Sequence, residues 1–394
     1  MSSYRDGIRL GVAGAAAAAC IYFPQPLAAQ IQTTFDVSVL WSAMPMTFAF
    51  IVLTSGPVLF GRFITVGRAM RIVLVTELLL AALFAMQAIA FAAVPYFLLR
   101  ALQVMLLPLL IPAVITGSSN IQGSESRARD LALYTAGTIV GGVTGRLLAV
   151  GSVAFEHWQL GSLAITAMLL FSAWLLRKPP TLASELRRRS SPTATGTASA
   201  PERSKSWRTP VSLSFPGLAL AFGVLTTVLT CLPFEIGYER GGTLMLAIVY
   251  GGYAVGIATS LGAPGITRVS RGLPNATLTA AVLFVVGLCG VIQGSFPALV
   301  IGVVLLCGSM VFHQATQIVL LNDYFARSQS GTVSALFVAA VFAGGTLGSS
   351  VMLSLYEWQG WGAVMTVCLL FSLIAGYCVY AAARRQAQAA QTEG

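Results

Sequence analysis

The feature that most constrains this chain is a succession of long apolar runs, each near the ~20 residues a helix needs to cross a bilayer. They fall at about 8–31, 39–60, 72–91, 95–118, 131–153, 159–176, 211–236, 243–263, 276–295, 297–320, 332–355 and 361–382, and are numbered spans 1 to 12 below. Lipid offers no partner for an open backbone N–H or C=O, and a barrel would read as alternating segments of about ten residues. Such a chain folds as an all-α membrane protein. Composition narrows the alternatives: of 394 residues 56% are hydrophobic and 9% charged, against about a quarter charged in a soluble domain. A water-facing globule, a disordered chain and a nucleic-acid binder are poor fits. The first run is read as a membrane helix and not as a cleaved signal or lipidation segment. Its apolar character continues through Ile21, Tyr22 and Phe23, and eleven similar runs follow.

The scarce charge carries the next constraint. The net charge is +10, with 23 Lys and Arg against 13 Asp and Glu. The N-terminus and alternate loops hold 20 of the 23 basic residues, among them Arg62, Arg68, Arg268 and Arg384. The opposite loops hold Arg240 alone, beside Asp36, Glu156, Glu239 and Glu357. The positive-inside rule then predicts that both termini and the middle loop are cytoplasmic, which twelve spans satisfy. The longest polar segment, 177–210, contains Arg187, Arg188 and Arg189 and then Ser, Thr, Ala, Pro and Gly without apolar periodicity. It reads as a flexible linker, with contact to anionic lipid headgroups as its functional alternative. It divides the chain into six-helix units 1–176 and 211–394. All six cysteines fall inside apolar runs and read as small buried hydrophobes. With no Walker-type loop and only His157 and His313, neither an enzyme site, a metal site nor a cofactor is expected.

The two units resemble each other. A shift of 203 residues lays Leu133-Tyr134 over Leu336-Phe337, Gly141-Gly142-x-x-Gly145 over Gly344-Gly345-x-x-Gly348, and Trp158 over Trp361. Matching positions in spans 5 and 11 point to a duplicated unit. The glycines are expected to pack helices closely and to serve two halves that rock against each other.

At this point the chain resembles the major facilitator superfamily, and within it bacterial drug:proton-antiporter-like exporters of the arabinose-efflux type. The likeness rests on Tyr22-Phe23-Pro24-Gln25-Pro26-Leu27 with Phe35-Asp36-Val37-Ser38, on Arg100-Ala101-Leu102-Gln103, and on Leu133-Tyr134 through Gly145-Arg146. Ile236-Gly237-Tyr238, Tyr253-x-x-Gly256, Gly308-x-x-x-x-His313 and Gly360-Trp361 continue it. It implies twelve helices in two pseudo-symmetric bundles, a monomer in a bacterial inner membrane, and alternating access by a secondary transporter. The chain also departs from the pattern. Between spans 2 and 3 it reads Gly56-Pro57-Val58-Leu59-Phe60-Gly61-Arg62, with Gly67-Arg68 following and no Asp. In the family that Asp helps to latch the cytoplasmic gate, so Gly56, Arg62 and Arg68 are the gating positions left here. Span 5 also lacks the Gly-Pro pair of many antiporters.

An ionisable group inside a bilayer usually faces a cavity or a partner. Spans 1, 4, 7 and 10 carry Gln25, Arg100, Gln103, Glu235, His313, Gln314 and Gln317, whereas spans 6, 9 and 12 carry almost nothing polar through their middles. In the resembled fold those four spans line the cavity. Gln25, Arg100, Gln103, Arg146, Glu235, His313 and Gln317 are therefore the candidates for substrate contact and coupling, with Arg100, Glu235 and His313 as the coupling candidates. Arg100 stays charged, so it would hold an anionic group or bias a carboxylate and not carry the proton. Arg146 has inter-half anchoring as its plainer role. Glu77 is expected to pair with Arg71 or Arg62, and Tyr22, Phe23, Phe234, Tyr250 and Tyr253 to supply aromatic walls. The expected partners are a small molecule, protons and membrane lipid. Proton-coupled export of a small organic molecule is the leading function. Uptake of a small organic anion, which Arg100 and Arg146 would suit, is the second, and a transporter-like membrane sensor the third.

Overall fold

The computed structural model describes residues 2–60, 66–119, 124–177, 208–238, 241–324 and 330–392. Arg62 and most of the linker, 178–207, lie outside the described residues. Span 1 is a pair of helices, Ser2–Tyr22 and Pro24–Phe35. Spans 2 to 7 are Val39–Phe60, Val66–Gln87, Ala93–Ser119, Ser124–Ala154, Trp158–Leu176 and Arg208–Ile236. Span 8 is Gly242–Gly251 and Val255–Val269 around a 3-10 turn at Gly252–Ala254; spans 9 and 10 are Leu273–Gln293 and Phe296–Tyr324. Span 11 begins with Ser330–Ser349, and a final helix, Val351–Thr392, completes it and supplies span 12.

Among the described residues, eleven helical stretches are long and apolar enough to cross a membrane, the last of them 53 residues, Leu336–Gln388. Gly360 breaks that stretch with φ 77° and ψ −175°, a backbone region that only glycine enters freely. The break makes two crossings of one run, giving twelve among the described residues, an even number that returns the last helix to the side where the first begins. Span 1 breaks for another reason. Pro24 and Pro26 carry no N–H, so the bonds that would close on the carbonyls of Cys20 and Tyr22 are missing and the ladder stops at Phe23.

The halves repeat one packing scheme. Span 1 packs on 5 as 7 packs on 11, 3 on 4 as 9 on 10, 3 on 6 as 9 on 12, and 2 on 4 as 8 on 10. Between the halves, span 2 meets 11, span 5 meets 8, and span 1 meets 7. Spans 3, 6, 9 and 12 turn apolar side chains outward, such as Leu78, Leu79, Leu170, Trp174, Val282, Val286, Leu373 and Tyr377. Outward leucine and tryptophan at that density suit lipid and not water. The architecture is two bundles of six crossings each, the fold class the sequence leads one to expect.

The Gly-Gly-x-x-Gly motif has two faces, which refines the sequence reading. Its outer glycines pack within a half. Gly141 and Gly145 meet the carbonyls of Ala15 and Ala19 on span 1, where a Cβ on Gly145 would lie 2.6 Å from the Ala19 oxygen. Gly344 and Gly348 meet span 7 in the same way, at Ala219 and Gly223. The middle glycine faces the other half. A Cβ on Gly142 would come 3.6 Å from Tyr253 Cε1 of span 8, and one on Gly345 2.9 Å from Phe50 Cδ2 of span 2. Only the middle position of each motif therefore bears on how the halves meet. Gly56 packs within the first half, against Pro108 of span 4.

Candidate functional site

The polar side chains at the centre converge on Arg146. It sits on span 5 one turn beyond Gly142, 2% exposed, so its guanidinium is held inside the bundle. Its Nε donates to Gln25 Oε1 at 2.8 Å and its Nη1 to the Gly142 carbonyl at 3.0 Å. Gln25 is placed by the break in span 1, since it follows Pro24 at the start of the second helix. Its Nε2 donates to Thr230 Oγ1 of span 7 at 3.0 Å. One amide thus links the arginine of the first half to a hydroxyl of the second. Rings cover the cation. Cζ of Arg146 stands 4.2 Å from the ring centroid of Tyr22, 4.7 Å from that of Tyr253 and 6.0 Å from that of Tyr250. Tyr250 is itself fixed, its hydroxyl donating to the Leu229 carbonyl at 2.7 Å. Each desolvated cation–π contact is worth about 0.5–2 kcal/mol and each charged hydrogen bond about 1.5–3. These hold the side chain in place but are all neutral. They leave its full positive charge unbalanced.

Arg100 occupies a different place. It is 1% exposed, and donates through Nε to the Pro45 carbonyl at 3.3 Å, through Nη1 to Gln103 Oε1 at 3.1 Å and through Nη2 to the Ile21 carbonyl at 3.5 Å. Gln103 Nε2 continues to Gln87 Oε1 at 2.9 Å. Spans 1 to 4 are thereby tied inside the first half, and the i, i+3 pairing expected for Arg100 and Gln103 is present. Glu235 is exposed at the far end of span 7, hydrogen bonded with Tyr356. His313 and Gln317 are 2% and 0% exposed. His313 Nδ1 and both amide atoms of Gln317 lack a hydrogen-bond partner. No hydrogen bond among the described residues joins Arg100, Glu235 or His313 to one another. Span 10 approaches the arginine through Cys307, within electrostatic reach of Arg146. Arg68 is exposed at the start of span 3. Glu77 accepts from Ser172 Oγ of span 6 at 2.7 Å and forms no ion pair with Arg71, which is exposed. The carboxyl lies too far inside the helix packing for a residue at the span's end.

The halves also meet at the end opposite the chain termini. The Tyr238 hydroxyl donates to the Pro26 carbonyl. Burial pushes the Tyr238 phenol above its ordinary range, so it stays a donor at neutral pH. Thr47 Oγ1 of span 2 donates to the Ser349 carbonyl of span 11 at 2.8 Å. Ala43, Cys231 and Leu353 form an apolar seam between the same elements. Midway, Phe50 stacks on Phe342 at 5.7 Å and meets Phe222 edge-on at 5.9 Å. Thr230, Thr47 and Ser349 were not singled out by the sequence, because a hydroxyl in an apolar helix usually bonds its own backbone, and Tyr238 stood out only within the Ile236-Gly237-Tyr238 stretch.

No family model matches the sequence, and no curated protein matches it. Solved structures do. A bacterial homologue of the human lysosomal transporter Spinster, inward-facing and unoccupied, is 16% identical, with 98% of this chain and 97% of that one covered and a TM-score of 0.65. The peptide transporter POT in complex with sulfate is 14% identical over 97% and 95%, with a TM-score of 0.69. The nucleoside transporter NupG is 14% identical over 98% and 98%, with a TM-score of 0.66. From end to end, the chain has the fold of these three transporters.

Proposed function

We propose that this protein is a proton-coupled secondary active transporter that moves a small organic molecule by alternating access. One observation carries the reading. The buried polar site at mid-span is shared between the halves, with Arg146, Gln25 and Tyr22 from the first and Thr230, Tyr250 and Tyr253 from the second. A site shared in this way is made and unmade when the halves rock, as alternating access requires. The contacts at Tyr238–Pro26, Thr47–Ser349 and the Ala43–Cys231–Leu353 seam close the end opposite the termini. With the termini in the cytoplasm, as the loop charges favour, the closed end faces away from the cytoplasm. His313 is the proton-handling candidate, because its buried Nδ1 lacks a hydrogen-bond partner and its span also approaches Arg146. Arg100 serves as a tie within the first bundle. Export is the direction favoured by the resemblance to drug:proton antiporters.

The test is a proteoliposome with an imposed pH gradient and a panel of labelled organic cations, anions and neutral solutes. Accumulation against a gradient that collapses with a protonophore is the expected result, and its direction separates export from uptake. Saturable binding with no flux for any compound would replace the transporter with a sensor.

A further inference from the structure

The guanidinium of Arg146 carries more information than the presence of a site. Its charge has no counter-charge: among the described residues the buried acid is Glu77, held by Ser172 between spans 3 and 6, and no carboxylate pairs with Arg146. Everything touching it is neutral. The rings of Tyr22 and Tyr253 lie against it and close those directions to a ligand. Its Nε edge is taken by Gln25 and one Nη1 proton by the Gly142 carbonyl. No described residue accepts from Nη2. The unmet hydrogen-bonding direction is thus in the guanidinium plane, along the Nη1–Nη2 edge, where two parallel N–H groups suit two oxygens of one anion.

We infer that the cargo is a small organic monoanion, and that its carboxylate or comparably planar oxyanion binds in plane to Arg146. This rests on the transporter reading for the word cargo, but not for the binding itself. A single charge follows from the single cation, because a second negative charge would be desolvated without a partner. An organic cation fits poorly, as it would enter beside an unbalanced positive charge in a low-dielectric interior. The aromatic rims of Tyr22, Tyr250 and Tyr253 suit an apolar body behind the oxyanion.

Paired probes test this with purified protein: acetate against acetamide, benzoate against benzamide, and cyclohexanecarboxylate against its amide, read by thermal shift and by isothermal titration. At least one carboxylate should bind roughly tenfold or more tightly than its amide, and Arg146→Lys should lose that preference by removing the planar fork. Arg146→Gln should abolish it. Trp174→Phe, on the outward face of span 6, should preserve it, and a parent-like gel-filtration profile of each Arg146 variant guards against variants that fail to fold. If no carboxylate exceeds its amide, or if Arg146→Lys keeps the full preference, the inference falls. Counterflow in proteoliposomes separates it from the reading it rests on. Binding of the carboxylate without exchange sinks transport and keeps the anion site. Transport of cations or neutral solutes that no carboxylate inhibits sinks the anion site and keeps transport.

Discussion

Gly142 and Gly145 are three residues apart on one helix, yet alanine at the two positions should act in opposite directions. At Gly145 the new Cβ would stand 2.6 Å from the Ala19 carbonyl oxygen and 2.8 Å from its Cα, both backbone atoms of span 1. A carbon and a carbonyl oxygen rest at about 3.3 Å or more, so spans 1 and 5 must part by roughly half an ångström or more along that face. A radial gap of that size forfeits about a quarter of each local dispersion contact, and overpacking a tight interface costs about 1–3 kcal/mol. Replacing glycine in a helix returns about 0.5–1 kcal/mol. Gly145→Ala is therefore expected to destabilise by about 1–2 kcal/mol. At Gly142 the nearest atoms are side-chain atoms at 3.4 Å, an ordinary contact. Gly142→Ala keeps the helix gain and should be neutral or stabilising by up to about 1 kcal/mol. The assay is thermal unfolding in detergent, followed by a thiol-reactive dye that reports exposure of buried Cys20, Cys231, Cys307 and Cys368. The two variants should bracket the parent, Gly145→Ala below and Gly142→Ala at or above it. Equal losses at both positions would refute the two-faced reading of the motif.

Gly360→Ala places a Cβ on a backbone at φ 77° and should cost on the order of 1–3 kcal/mol, read as a lower midpoint in the same assay. Arg100→Leu strips donors from the carbonyls of Ile21 and Pro45 and from Gln103, at about 1–3 kcal/mol for each group left unpaired. Its signature is low yield and poor thermal stability, with carboxylate preference intact in whatever folds. Ser172→Ala removes the donor to Glu77 and should destabilise by about 1–3 kcal/mol. Glu77→Gln keeps an acceptor for Ser172, so it should stay within about 1 kcal/mol of the parent in the same assay.

Period and composition made the helices legible, because a bilayer leaves so few solutions that apolar run length nearly decides the fold. The register between halves was legible too, in the shift that superposes Gly141 on Gly344 and Gly145 on Gly348. What each glycine touches was not, since one residue of rotation turns Gly141 toward Ala15 and Gly142 toward Tyr253. The site was half readable. Gln25 and Arg146 stood out as polar groups in apolar helices, and Tyr22, Tyr250 and Tyr253 as nearby aromatics. That they form one cluster depends on the proline-driven break in span 1, which Pro24 and Pro26 mark in the sequence, and on the packing of span 8 against span 5, which leaves no local pattern. Arg100 shows what a sequence cannot give about a buried charge, its partners, which here are carbonyls and a glutamine of its own bundle.

The arginine travels with one half. Gln25, Gly142 and Tyr22 belong to its own bundle, so those contacts survive any rigid rocking, whereas Tyr253 and the Gln25–Thr230 bond do not. Together with Thr47–Ser349 and Tyr238–Pro26, the polar contacts that must part are worth on the order of 2–6 kcal/mol. A bias of about 5.5 kcal/mol is what takes a two-state population from 1:99 to 99:1, and a ligand of only millimolar affinity releases about 4. If the halves rock around a bound molecule as proposed, weak binding is therefore an asset. A molecule that bound one state much more tightly than the other would trap the protein in that state, and turnover would fall as that preference rose.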